Sequence, residues 1–302
     1  MLGVSTRAPE PAETTTVVPD DAATRAAEGA APPRWRRYVA VGDSFTEGLW
    51  DPYPAPRGSA EAGTADTQRG WADRLADTLS ARRVAAGLPP LEYANLAIRG
   101  RLLGAIVDQQ VPTALAAQPD LVSLVGGGND ILRPQADVDG LSARLEDAVA
   151  SIRATGADVL VGVGFKSGGA LSFTRGRTGA YNSNVWSIAR RHGAYVLDLW
   201  GMRAIHDWRM WSDDRIHLTP EGHRRVADAA LVGLGLEPDD ATYEEPLEAV
   251  PPAAFVERAR ADAQWARTHV VPWVQRRIRR TSSGDGRAPK WPTPGTWPPE
   301  AP

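Results

Sequence analysis

Four short stretches of the chain carry the residue types of acyl transfer. They are "YVAVGDSFTEG" (Tyr38 to Gly48), "NLAIRG" ending at Gly100, "GGGND" with Asn129, and "SDDRIHLTPEGH" with Asp213, Asp214 and His217. A serine hydroxyl is a poor nucleophile at neutral pH until a base takes its proton, and imidazole is the side chain tuned for that task. Ser44 is therefore the candidate nucleophile and His217 the candidate base. A carboxylate should hold the imidazole in one tautomer and stabilise its cation; Asp214, three residues earlier, can do so, with Asp213 as the fallback. Attack on a carbonyl places negative charge on its oxygen, where each preorganised donor commonly contributes about 3 to 4 kcal/mol. The N–H groups of Ser44 and Gly100 and the side-chain amide of Asn129 are the candidate donors. Each residue also has a plain structural role open to it. Asp43 and Ser44 are good helix caps, His217 can be a loop histidine bonded to backbone, Asp214 can favour the helix that follows, and Gly100 and Asn129 form turns.

The elements around these residues decide between the two readings. Strand-like runs are predicted at Tyr38 to Val41, Leu91 to Leu96, Asp120 to Val125, Asp158 to Val163 and Ala194 to Leu199. Between them lie segments of helical length: Trp71 to Ala86, Leu102 to Ala117, Val138 to Thr155 and Gly179 to His192, with a last one from Pro220 to Val232. Alternation with crossover-length connections predicts a parallel five-stranded sheet in three α/β/α layers. In such sheets, ligands meet the loops leaving the carboxyl ends of the strands. Ser44, Gly100, Asn129 and the Asp214–His217 pair fall at four of those ends, in order. The structural readings taken singly do not account for that coincidence.

With those residues in place, the chain resembles the SGNH (GDSL-type) hydrolase family. Its Ser block matches "VGDSFTEG", its Gly block "NLAIRG", its Asn block "GGGND" and its His block "DDRIHLTPEGH". The resemblance covers about residues 36 to 235. It implies a flavodoxin-like fold, a serine esterase that needs no metal, and the roles already named: nucleophile Ser44, base His217, orienting acid Asp214, and oxyanion donors Ser44, Gly100 and Asn129. Phe45 stands where the eponymous motif has Leu. Arg99 stands where many members carry Ser, and it either lines the pocket, favouring an anionic substrate, or points to solvent.

The leading expectation is hydrolysis of small or medium acyl esters through an acyl-enzyme. Lysophospholipase, thioesterase, acyltransferase and carbohydrate deacetylase activities stay open, as does a non-catalytic carbohydrate- or lipid-binding module. Asp43, Arg99 and Trp71 are candidate substrate contacts, with Trp50, Trp208, Trp211, the 51–70 loop and the segment Phe165 to Arg177 as further selectors.

Composition narrows the remainder. The 302 residues hold 42% hydrophobic side chains, enough for a sizeable core. A formal net charge of −3 gives no global attraction to nucleic acid. Cysteine is absent, which removes disulfides, thiolate metal sites and a cysteine nucleophile. "GVGFKSGG" has Phe165 where a phosphate loop has glycine before its lysine, so nucleotide binding is rejected. No metal-binding motif occurs and no cofactor is expected. Residues 1–35 read as a disordered arm, 36–236 as the hydrolase domain, and 237–302 as an acidic linker, a helix from Ala253 to about Arg280 and a tail too rich in proline for regular structure. No secretory or membrane-spanning segment is recognised, which predicts a cytoplasmic protein. Trp265, Val270, Trp273, Val274 and Ile278 give the last helix an apolar face, either packed on the domain or in weak contact with anionic membrane.

Overall fold

In the computed structural model of the chain, the residues described are 33–53, 68–251, 254–272, 275 and 281–299. Five parallel strands form where the apolar runs predict them: β1 (Arg37–Gly42), β2 (Glu92–Asn95), β3 (Leu121–Val125), β4 (Asp158–Gly162) and β5 (Tyr195–Leu197). β1 lies inside the sheet, paired with β2 on one side and β3 on the other. The chain thus reverses its direction of travel across the sheet at β1, and a crevice opens at that switch point.

The helices follow the predicted segments closely. After the one-turn α1 (Ser44–Glu47) come α2 (Gly70–Ala85), α3 (Leu103–Ala105), α4 (Val111–Ala116), the one-turn α5 (Gly128–Ile131), α6 (Val138–Ala154), α7 (Arg175–His192), α8 (Pro220–Gly233) and α9 (Phe255–Trp265). A π turn, Ile106–Gln110, joins α3 to α4 and interrupts the single helix expected there. α2 packs on α8, while α6 packs on α7. β3 is buried along its whole length and β1 and β4 nearly so, as parallel strands covered on both faces must be.

The chain departs from expectation at its tail. Trp291–Thr296, inside the proline-rich segment, forms a sixth strand, β6, antiparallel to β2 at the sheet edge. Pro292 and Pro294 fall between the Trp291 and Gly295 pairings, where the register against β2 shifts and the ladder does not need their missing donors. Beyond the strand's end, Trp297 N–H donates to Leu91 O at 2.8 Å. Trp297 is buried with its ring 4.7 Å from Tyr93 and 5.4 Å from Trp291, and its indole donates to Asp77 at 2.7 Å. Aromatic burial and an edge position override the composition argument.

Lys290 fastens this strand. Its ammonium donates at 2.7 Å to each of the Glu47, Gln68 and Arg69 carbonyls and pairs at 2.9 Å with the Asp73 carboxylate. Asp73 is fully buried and also accepts from Tyr53, Tyr93, Asn95 and Trp291. Burial pulls the Lys290 ammonium below its usual range, and the Asp73 charge opposes that pull. Of the apolar face expected on the last helix, Trp265 turns to the loop carrying Asp214, and Trp273, Val274 and Ile278 lie outside the described residues. Among the described residues, no helix is long and apolar enough to cross a membrane.

Removing one partner of a buried ion pair strands the other charge. Lys290→Met should lower the stability of the full chain by roughly 3 to 5 kcal/mol in urea unfolding, and adding Asp73→Asn should restore part of the loss. A Lys290→Met protein as stable as the parent would show that the tail is not latched in this way.

Candidate active site

Ser44 stands at the exit of β1, where the strand turns at once into α1. The turn is tight enough that a Cβ on Gly42 would meet Thr46 Oγ1 and the Val125 carbonyl. Glycine is required there by close approach of chain to chain. Asp43 caps α1, accepting from Phe45 N–H at 3.1 Å. The capping role and the nucleophile's position therefore coexist in one turn. The π turn before α4 aims Gln110 at the same strand end: its amide accepts from Gly42 N–H at 2.8 Å and donates to Gly42 O at 2.9 Å. No feature of the sequence announced this, because an i→i+5 turn has no strong residue signature.

His217 comes from the far side of the sheet, beyond edge strand β5. The connection crosses back and closes into a narrow loop through the Trp211–Leu218 bridge and the Ser212 N–H to His217 O bond of 2.9 Å. Trp211 packs edge-on against Phe165, 4.7 Å between rings, which holds the loop over β4. His217 Nε2 then lies 2.7 Å from Ser44 Oγ, and Nδ1 lies 2.6 Å from Asp214 Oδ2. The tautomer that fits carries hydrogen on Nδ1, donated to the carboxylate, and leaves Nε2 to accept from the serine.

Asp214 is surrounded by donors. Its Oδ1 accepts from Ser212 Oγ, Ile216 N–H and His217 N–H at 2.9 to 3.0 Å, and its Oδ2 also accepts from the Trp50 indole at 2.8 Å. Burial by itself would raise this carboxyl, but the His217 bond and charge and the two backbone donors outweigh it. They hold it well below the usual carboxylate range. Asp213, the fallback, is exposed. Trp265 supports the loop from behind, donating to the Asp214 carbonyl at 2.9 Å.

The expected donors converge on the same place. Gly100 and Asn129 line one cavity with Ser44 and His217. The N–H groups of Ser44 and Gly100 enter no backbone turn or cap among the described residues. The Asn129 amide donates to Arg101 O at 3.0 Å and to Asp43 Oδ2 at 3.1 Å, so Asp43 contacts Asn129 as well as capping α1. Burial lifts the Asp43 carboxyl to about 6, against the Phe45 N–H and the His217 charge, which pull it down.

Two candidate substrate contacts are corrected. Arg99 neither lines the cavity nor points to solvent: its guanidinium is bound to the Glu47 carboxylate, which also accepts from Arg99 N–H at 2.6 Å, and both side chains are largely buried. The pair fixes the loop ahead of Gly100. Trp71 is fully buried, 5.9 Å behind Phe45 between ring centres, and reaches neither cavity. Trp50, proposed as a selector, is instead a donor to Asp214, and Trp208 is exposed away from both cavities. Most of the 51–70 loop, residues 54–67, lies outside the described residues.

Ser44 and His217 sit at the junction of two cavities. One, of about 130 Å³, is chiefly apolar and is lined by Phe45, Val125, Ile131, Val163, Tyr181 and Leu199 among others. Phe165, Ser167, Leu171 and Thr174 also border it, so the segment expected to select substrate does reach the site. The other, of about 1100 Å³, carries Arg101, Arg133, Arg144, Asp108 and Asp285. No group of three or more His, Cys, Asp or Glu side chains placed to hold a metal ion occurs among the described residues.

The family model for the GDSL-like lipase/acylhydrolase family matches residues 40–225. No curated protein matches the chain. Among solved structures, an acetyl xylan esterase from Geobacillus stearothermophilus is similar at 21% identity with a TM-score of 0.55, over 68% of this chain and 97% of that one. An alpha/beta hydrolase enzyme from the metagenome of Lake Arreo is similar at 21% identity and TM-score 0.53, over 66% and 95%. A psychrotrophic esterase from Pseudoalteromonas is similar at 14% identity and TM-score 0.51, over 66% and 97%. At these identities the structures attest the shared fold.

Two buried groups beside the site give opposing pH dependences. Asp43, raised from 3.8 to about 6, costs stability at neutral pH, and the cost disappears as pH falls through 6 towards 3.8. His223 donates to Leu49 O, accepts from Trp71 N–H, and is lowered by burial from 6.5 to about 4. Its stabilising neutrality is complete above 6.5 and is lost as pH falls towards 4. Asp43→Asn should therefore gain about 2 to 3 kcal/mol at pH 7.5 and then lose stability more steeply than the parent between pH 6.5 and 4. Urea unfolding at pH 7.5 and 4.5 checks this, and no gain at pH 7.5 would contradict it.

Proposed function

The chain belongs to the GDSL-like lipase/acylhydrolase family, a carboxylic ester hydrolase of SGNH type, and from that premise we propose that it cleaves short-acyl esters through an acyl-enzyme on Ser44. One observation carries the reading: Ser44 Oγ, His217 Nε2, His217 Nδ1 and Asp214 Oδ2 form a continuous hydrogen-bonded line with steps of 2.7 and 2.6 Å.

The chemistry follows from that line. As Ser44 Oγ bonds to the ester carbon, its proton passes to His217 Nε2, and the imidazolium is stabilised by the ionised Asp214. The carbonyl oxygen, now negative, is received by the N–H groups of Ser44 and Gly100 and by the Asn129 amide, which turns from Asp43 to the new and stronger acceptor. His217 then protonates the departing alkoxide, and the alcohol leaves. Water enters, gives its proton to the same nitrogen, attacks the acyl carbon and releases the acid with Ser44 restored.

The two cavities divide the ester between them. The acyl group enters the small apolar cavity, whose volume of about 130 Å³ limits its length, and the alcohol half faces the wide one. A short acyl chain fits this division better than the long chain of a lysophospholipid.

Ser44→Ala should lower kcat on p-nitrophenyl acetate by about a thousandfold or more and abolish fluorophosphonate labelling, and Asp214→Asn should lower kcat by a factor on the order of 10³ to 10⁴. Turnover should fall steadily from acetyl or butyryl to octanoyl esters. Unchanged turnover in Ser44→Ala would refute the nucleophile assignment. Trp50→Phe removes one donor to the charged Asp214 and should cost about three- to tenfold in kcat. Because Trp50 lines neither cavity, KM should not move; a rise in KM would make it a substrate contact instead.

A further inference from the structure

The tail that returns as β6 first passes over the Gly block. A Cβ added to Gly100 would collide with Ser282 Oγ, and one added to Gly284 would collide with the Arg99 carbonyl. Ser282 and Ser283 therefore lie directly against the loop that presents the Gly100 N–H. Thr281, Ser282, Ser283, Asp285 and His269 line the wide cavity together with Ser44 and His217. These residues lie beyond residue 225, the last matched by the family model.

The segment is a built wall. Ser282 N–H donates to Asp285 Oδ2 at 2.7 Å and Gly284 N–H donates to Ser282 Oγ at 3.2 Å, which closes a tight turn. Five residues after that turn's Asp285, Lys290 is held by three carbonyls and Asp73. Arg101, the residue after Gly100, borders the same cavity.

Accepting the esterase reading above, we infer that the segment 281–285 and Arg101 form a subsite for the alcohol half of the substrate, and that the subsite selects a polyhydroxylated, sugar-like alcohol over an alkyl one. Serine hydroxyls can both donate and accept, which suits a ligand bearing several hydroxyls, and the Arg101 guanidinium adds donors beside them. An alkyl alcohol would satisfy none of these groups and would leave them dehydrated. Discrimination of this kind arises where a site's polar groups go unpaired with the wrong ligand.

The test compares kcat/KM for an acetylated sugar and for hexyl acetate in the full-length chain. The parent should prefer the sugar ester. In Ser282→Ala with Ser283→Ala, the sugar-to-alkyl ratio should fall about tenfold, the equivalent of one good hydrogen bond. Arg101→Gln, beside Gly100 and not itself part of the tail, should lower the ratio in the same direction and decides the matter if the serine variant does not fold. Folded variants that retain the parental ratio overturn the subsite while leaving the esterase intact. A parent that hydrolyses both esters but prefers the alkyl one overturns the sugar-like assignment. A parent that cleaves neither ester and takes no fluorophosphonate label overturns the esterase reading and this inference with it.

Discussion

The ammonium of Lys290, buried against Asp73 and three backbone carbonyls, is the contact on which the rest of the site's framework depends. One of those carbonyls is that of Glu47, the last residue of α1, whose first residue is Ser44. The Glu47 side chain in turn clamps Arg99, next to Gly100. A charge supplied near the end of the chain thus fixes both the turn that carries the nucleophile and the loop that carries a donor for the oxyanion. Without it, a carboxylate buried as deeply as Asp73 would lack an opposing charge, which is costly even with its four other donors.

Asp43 and Asp214 show how surroundings divide one residue type into two behaviours within a single site. Both are buried, and burial pushes both upward. Asp214 accepts five hydrogen bonds and faces the imidazole, so it stays ionised and can stabilise a cation at His217. Asp43 has a cap N–H and one amide hydrogen, too little to offset its dehydration. The difference lies in the number of donors aimed at each carboxylate, which loop closure through Trp211 and Leu218 sets for Asp214.

Much of the fold was legible because parallel strands buried on both faces must be apolar runs, and the helices that cover them must be long enough to cross over. β1 to β5 and the long helices α2, α6 and α8 lie within a residue or two of their expected bounds. α7 starts four residues earlier than expected, because a 3-10 turn, Gly169–Thr174, leads directly into it. The failures have specific causes. Proline suppresses strand formation only where its missing N–H would be needed, and Pro292 and Pro294 fall where β6 shifts register against β2. Trp71 has the residue type of a sugar platform, but its position in α2 points it into the core. Phe165 of the segment "GVGFKSGG" borders the small cavity.

The sequence by itself determined which groups are present for the chemistry and their order along the chain, because strand ends and turn residues are local properties that a few neighbouring residues specify. It also determined the parallel architecture that brings those ends to one edge. Only the tertiary structure decided what surrounds them: that Trp50 donates to Asp214, that Arg99 is consumed by Glu47, that Gln110 finishes β1, and that residues 281–285 wall the wide cavity. Those contacts join residues separated by 50 to more than 180 positions, and their partners are chosen by packing and by burial of charge. Neither leaves a periodic or spaced mark in the sequence, so no local pattern could have announced them.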